Sequence, residues 1–174
     1  SNVNNMSYMF QSSKIFNQPL NLWDTSKVTN MISMFNTAPE FVQDISTWVV
    51  SGVTSMANMF QSTQFNQPIG IWDVSNVTNF TYMFNSANKF NQPLANSLDN
   101  LSSLTQLTFG DKFNNGDTPF GDSLSTLTSL EKLTFGNDFS QPLNFLNKLT
   151  NLNQLLYALP KDIITKEILK LKRE

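Results

Sequence analysis

Apolar residues return along this chain in a fixed order. A stretch of the form V-x-x-M-x-x-M-F opens at Val3 and recurs at Val28, Val53 and Val77, where Phe80 replaces the first Met. A second wording, L-x-x-L-x-x-L, opens at Leu101, Leu127 and Leu149. The seven starts lie 25, 25, 24, 24, 26 and 22 residues apart. In the first wording the stretch ends on Phe10, Phe35, Phe60 and Phe84. A second aromatic position follows at Phe16, Phe41, Phe65, Phe90, Phe113 and Phe139, so ten of the 15 Phe residues fall in two columns. Phe109 and Phe135 read as a third column. The second column opens a polar corner, FNQP at 16–19, 65–68 and 90–93, and FSQP at 139–142.

A unit of ~25 residues cannot bury such columns alone; stacked units can. The pattern predicts an α/β solenoid of about seven turns over residues 1–160. Apolar residues at i, i+3, i+6 and i+7 predict a short helical turn over V-x-x-M-x-x-M-F. Ser26, Ser51 and Ser75 stand where its N-cap is wanted. The runs "LNLWD", "ISTWV" and "IGIWD" read as one strand per turn. Such strands would pair in parallel about 4.8 Å apart, giving a block ~30–35 Å long. In the second wording the strand is equally well placed at "LTFG". The tail 161–174 carries Ile164, Ile168 and Leu171 on one face, Asp162 near its start, and Lys170, Lys172 and Arg173 at its end. It reads as an amphipathic helix capping the stack. The corner Asn residues, Asn17, Asn66, Asn91 and Asn114, are expected to be buried and to bond backbone groups. Pro19, Pro68, Pro93 and Pro142 are expected to set the bend.

Composition narrows the function. Of 174 residues, 23 are Asn, 10 Gln, 19 Ser and 16 Thr, while charged residues are only 14%. No Cys and no His occur, which removes disulfides, thiolate metal sites and the commonest general base. Residues 1–160 carry six Lys against ten acidic residues, so nucleic acid is not an expected partner. No apolar run of ~18 residues suggests a membrane span. The chain opens mid-phrase, "SNVNNMSYMF" echoing "SNVTNFTYMF" at 75–84, as a piece of a longer array would.

The text V-T-x-M-x-x-M-F followed by F-N-Q-P-L-x-x-W-D-x-S resembles the leucine-rich-repeat relatives of the BspA surface-protein class. More narrowly, it resembles the repeat of bacterial surface lipoproteins long grouped as a domain of unknown function. Residues 101–142, with "LTQLTFGDKFN" and "LEKLTFGNDFSQPL", resemble the FNIP repeat. The resemblance implies a right-handed, leucine-rich-repeat-like solenoid used for binding, with no shared catalytic residues. BspA-like repeats imply a cell-surface or extracellular setting; FNIP repeats imply a virion or the host-cell cytoplasm. Repeat two departs from the pattern at Val42-Gln43-Asp44, and repeat four at Ser97.

The expected function is therefore a non-enzymatic binding or adhesion module for a protein partner or surface glycan, with self-association possible and no cofactor. The alternatives are a structural block of a virion or cell surface, and an intracellular FNIP-type recognition domain. The candidate surface comprises the strand positions Asn21, Ser46, Gly70 and Ala95 and the tryptophans Trp23, Trp48 and Trp72, the latter better explained as residues that close the core at a strand end. "DKFNNGDTPFGD" at 111–122 places Asp111, Asn115, Gly116, Asp117 and Asp122 at EF-hand-like spacing, but Phe113 occupies a ligand position. A turn at Asn115-Gly116 explains the text better. Sequons at Asn5, Asn76, Asn79 and Asn100 weakly suggest secretion.

Overall fold

The structure is a computed structural model that describes residues 2–94, 98, 101–114 and 123–156. The expected capping helix at 161–174, Ala95, and the candidate residues Asn115, Gly116, Asp117 and Asp122 lie outside the described residues.

The V-x-x-M-x-x-M-F stretch is not helical. It is a run of tight turns that bonds sideways to the next repeat. In repeat one the amides of Met6, Tyr8, Phe10 and Ser12 donate to the carbonyls of Asn30, Ile32, Met34 and Asn36 at 2.8–2.9 Å. Met31, Ser33, Phe35 and Thr37 donate likewise to Ser55, Ala57, Met59 and Gln61. Met56, Asn58, Phe60 and Ser62 continue to Asn79, Thr81, Met83 and Asn85. Asn5, Asn30, Ser55 and Asn79 form a line of parallel bridges through all four repeats.

Intervening amides close the turns. Met9 donates to the Met6 carbonyl and Gln11 to that of Tyr8, and the pattern returns at Met34, Asn36, Met59, Gln61, Met83 and Asn85. Each repeat holds two non-glycine residues at positive φ. One column is Tyr8, Ser33, Asn58 and Tyr82; the other is Ser12, Thr37, Ser62 and Ser86, all between 53° and 62°. A bond from i+3 to i around a residue of positive φ at i+2 is the type II arrangement. Apolar spacing of three and four suits such a run as well as it suits a helix. Local chemistry decides for the turns, because Ser and Asn side chains compete for backbone groups. Asn5, Asn30 and Asn79 each accept at Oδ1 from the amide two residues on, Ser7, Ile32 and Thr81.

The tryptophan run is likewise not a strand. Trp23, Trp48 and Trp72 close turns onto the carbonyls of Leu20, Ile45 and Ile69. Ser26 and Ser75 are not helix N-caps. They donate through backbone and hydroxyl to Asp24 and Asp73, the residues that cap these turns. Ser51 caps no helix either; its carbonyl accepts from Asn76 Nδ2.

In the second wording the inter-repeat contact becomes a regular sheet at the "LTFG" position. β1 (Gln106–Thr108), β2 (Lys132–Thr134) and β3 (Gln154–Leu156) pair in parallel in that order. Leu107 and Leu133 sit side by side, fully buried. The ladder thus runs through the same part of the repeat in both wordings. Among the described residues the helical segments in this half are short 3-10 helices at Ser123–Thr126 and Asn144–Lys148. Gly136 packs so closely that a Cβ there would stand 2.2 Å from the Asp111 Cα.

The core is aromatic, with two ring columns rather than three. Phe109 and Phe135 extend the first column, since Phe84 stacks on Phe109 at 6.1 Å and Phe109 on Phe135 at 5.6 Å. Within each repeat the two rings stack face to face. The pairs are Phe10–Phe16, Phe35–Phe41, Phe60–Phe65, Phe84–Phe90, Phe109–Phe113 and Phe135–Phe139, at 3.7–4.1 Å. From repeat to repeat the ring centroids lie 5.6–6.3 Å apart, the range where offset stacking adds to burial. Of the ten rings in the two sequence columns, eight are fully buried; Phe10 and Phe16, at the open end, are half-buried.

Candidate interaction surface

The first candidates are the tryptophans. Trp48 and Trp72 are buried, and each lies against a core ring, Trp48 on Phe35 and Trp72 on Phe60. Trp48 Nε1–H donates to the Leu20 carbonyl of the preceding repeat at 3.0 Å. The equivalent Trp72 Nε1 is buried without an acceptor. These two side chains offer nothing to a ligand outside. Trp23, in the first repeat, is partly exposed.

Of the strand positions, Asn21 is joined to repeat two by Thr47 Oγ1, which donates to its carbonyl at 3.2 Å. Asn21 is exposed; Ser46 and Gly70 are half-buried. Beside them Leu22 and Ile71 are almost fully exposed. The side chains at these positions are small, and none of the three is ionisable.

The FNQP corner is an amide ladder, and it is not buried as expected. Asn66 Oδ1 accepts the Asn91 amide at 2.8 Å, Asn91 Oδ1 that of Asn114 at 2.7 Å, and Asn114 Oδ1 that of Ser140 at 3.0 Å. Asn17 Oδ1 accepts from Val42. The Gln of each corner reaches back one repeat. Gln43, Gln92 and Gln141 donate to the carbonyls of Asn17, Asn66 and Asn114, and Gln67 donates to that of Val42. Sequence reasoning gave this Gln no role, although its 25-residue spacing was visible. The four Asn side chains are half-buried to exposed, bridging repeats along the rim.

The surface that sequence reasoning missed is the outer side of the turn ladder. Thr29, Thr54 and Thr78 form an exposed row, each hydroxyl donating to the preceding repeat's carbonyl, of Asn4, Thr29 and Thr54, at 3.1–3.2 Å. Next to it runs Asn5, Asn30, Ser55 and Asn79; further on, Gln11, Asn36, Gln61 and Asn85. Residues 2–13, 28–38, 53–63 and 77–87 contain no ionisable side chain other than Tyr8 and Tyr82. Both tyrosines are exposed, one at each end of the face and three repeats apart. At the inter-strand spacing that is ~14–15 Å. The face offers the Thr29, Thr54 and Thr78 hydroxyls and neighbouring Asn and Gln amides, while the Ser55 hydroxyl in the same row is buried. The helical reading of these residues hid it.

Charged side chains among the described residues lie outside these four segments. Asp24, Asp44 and Asp73 stand one per repeat. The Ser26 hydroxyl and amide hold Asp24 down to about 2. Asp44 is lowered by the amide and hydroxyl of Ser46, and Asp73 by the hydroxyl and amide of Ser75. Lys112 is raised by its 2.7 Å ion pair with Asp138. Among the described residues no group of three or more acidic side chains is placed to hold a metal ion. No helix among them is long and apolar enough to cross a membrane.

A family model described as "Mycoplasma protein of unknown function, DUF285" matches residues 1–98, more than half of the 174. The chain belongs to this family. No curated protein matches it. The DUF285 match spans the four repeats of the first wording, those with paired positive-φ turns. The L-x-x-L repeats with their three-stranded sheet lie beyond it, yet the ring columns of the DUF285 segment pass into them without a break.

Proposed function

We propose that this chain is a leucine-rich-repeat-like solenoid serving as a non-enzymatic binding or adhesion module. Its working face is the outer side of the turn ladder in the first four repeats. One observation carries the reading. Thr29, Thr54 and Thr78 repeat in register on an exposed face whose own segments carry no ionisable side chain but Tyr8 and Tyr82, with the Lys27 ammonium at one edge on Asn2. Such a face suits a partner that is itself uncharged and rich in hydroxyl or amide groups, a surface glycan or a polar protein surface. Tyr8 and Tyr82 supply flat apolar surfaces on which a sugar ring can rest. The BspA-like wording of repeats one to four favours a cell-surface or extracellular setting. The FNIP-like wording of repeats five and six supports the intracellular alternative equally on text alone.

Because Thr29, Thr54 and Thr78 are uncharged and the Lys27 ammonium touches the face only at Asn2, binding changes little with ionic strength. Labelled protein on a glycan array at 50 and 500 mM NaCl tests this. Ligands retained at both salts, and lost on Thr54→Lys with thermal stability unchanged, support the reading. Binding that vanishes at high salt, or survives Thr54→Lys, contradicts it.

A further inference from the structure

Exposed aliphatic side chains gather in one part of the repeat. Trp23, Trp48 and Trp72 close the same turn in three consecutive repeats, onto the carbonyls of Leu20, Ile45 and Ile69. Leu22, Thr47 and Ile71 stand just before the closing residue of each turn. Leu22 is 91% exposed and Ile71 81%. Val49, directly after Trp48, is 51% exposed. Turn tips in water suit Gly, Asn, Asp and Ser, not large aliphatics. The exposure of Ile71 is not an effect of an open end of the stack. The rings of its repeat, Phe60 and Phe65, stack on Phe35 and Phe41 on one side and on Phe84 and Phe90 on the other. Side chains tie repeats one to three together close to these turns. Thr47 Oγ1 donates to the Asn21 carbonyl and Trp48 Nε1 to that of Leu20; Gln67 Nε2 donates to Val42 and Asn76 Nδ2 to Ser51. At the ladder spacing, turns two repeats apart stand ~10 Å from each other.

Charge selects the occupant. Residues 16–24, 41–49 and 65–73 contain Asp24, Asp44 and Asp73 as their only ionisable side chains, and no Lys or Arg. All three carboxyls are on exposed residues. Ser46 and Ser75 hold Asp44 and Asp73 in the ionised form. The face is therefore apolar at its tips and negative everywhere that it is charged. A second copy presenting the same face would set carboxylate against carboxylate, and an acidic partner is repelled in the same way. The complement is a segment with both aliphatic and cationic side chains. Lys and Arg supply both at once, an apolar stem and a charged end. We propose that the tryptophan-turn face of repeats one to three docks a basic, apolar peptide segment of a partner protein. Aliphatic groups of the segment cover Leu22, Val49 and Ile71, and its cations meet Asp44 and Asp73. The face lies in a different part of the repeat from Thr29, Thr54 and Thr78, so it stands or falls independently of the threonine row.

The probe is a short synthetic peptide of alternating Lys and Leu, added to the 15N-labelled chain. The expected result is saturable binding below ~1 mM. Amide shifts should centre on residues 21–24, 46–49 and 70–73. Binding should weaken about tenfold or more between about 50 and 500 mM NaCl, the opposite of the behaviour expected at the threonine row. Ile71→Ser and Asp73→Asn, both at exposed positions, should each weaken it about threefold or more; Thr54→Lys should not. Circular dichroism checks that each variant folds, and two control peptides decide without any variant. A Lys/Ser peptide removes the aliphatic groups and a Glu/Leu peptide reverses the charge, and neither should bind at these residues. No binding of the Lys/Leu peptide at ~1 mM, equal binding of either control, or shifts centred elsewhere would overturn the proposal. So would self-association of the unliganded chain that Ile71→Ser abolishes, since a second copy would then be the occupant.

Discussion

Phe60→Ala tests the stacking directly. The Phe60 ring is fully buried and meets four others: Phe65 at 4.1 Å, Phe35 at 5.9 Å, Phe84 at 6.1 Å and Trp72 at 6.4 Å. Truncation removes a buried aromatic side chain and leaves a gap walled on two sides by neighbouring repeats. The expected cost is about 3–5 kcal/mol. In a chain of 174 residues that lowers Tm by roughly 6–20 °C. Phe10 has the same place in its own repeat but is half-buried, and among the described residues a neighbouring repeat meets it on one side, through Phe35. Phe10→Ala should cost about 1–2 kcal/mol. Urea unfolding followed by tryptophan fluorescence gives both numbers, provided the m-value stays constant. Equal costs at the two sites, or less than about 1 kcal/mol at Phe60, would refute the argument that burial comes from repeats on both sides.

Val42 interrupts the corner amide column, and the Asn66 amide has no acceptor among the described residues; Val42→Asn should add about 0.5–1.5 kcal/mol by urea titration, and Asn66→Ala should cost a similar amount by orphaning the Asn91 amide. Ser62 is at φ 56°, so Ser62→Gly should be neutral or stabilising by up to about 1 kcal/mol, whereas Ser62→Pro should cost about 3 kcal/mol or more by imposing negative φ and deleting the bond to Asn85; thermal denaturation distinguishes the two. The carboxyls of Asp24, Asp44 and Asp73 are depressed by their serine partners, so the stability they lend is complete above the ordinary value of 3.8. It is lost as pH falls through the folded value, about 2 for Asp24. The triple Asp→Asn variant keeps an Oδ1 acceptor, as Asn5, Asn30 and Asn79 do, and its Tm should fall less than that of the parent between pH 5 and 2.

The sequence carried the periodicity plainly. The starts at Val3, Val28 and Val53, and the Phe columns, stand in the structure with the register their spacing implies. The conformation between them was not legible, because V-x-x-M-x-x-M-F satisfies both a helix and a run of tight turns. Nothing in a hydrophobic pattern separates an i−4 bond from a bond to a residue 24 positions on. The clue was chemical. Asn5, Asn30 and Asn79 are turn formers in the middle of the supposed helix, and no Gly marks the positive-φ columns that Tyr8, Ser33 and Thr37 occupy. Once the stretch was read as helix, "LNLWD" became the remaining place for a strand. The Thr row and the Gln tie stayed out of sight for the same reason, since both depend on which backbone edge faces the next repeat. Phe109 looked like a new column because Thr108 adds one residue to its stretch; the added residue accompanies a regular strand, and the ring still lands on Phe84.

The central claim is that the Met-rich stretches bond to one another rather than to themselves. Through-hydrogen-bond scalar couplings between amide nitrogen and carbonyl carbon, in 15N,13C-labelled protein, read each donor and its acceptor. The structure predicts couplings from Phe10 to Met34, Phe35 to Met59, and Phe60 to Met83. Couplings from Phe35 to Met31 and from Phe60 to Met56, the i−4 bonds of a helix, would contradict it.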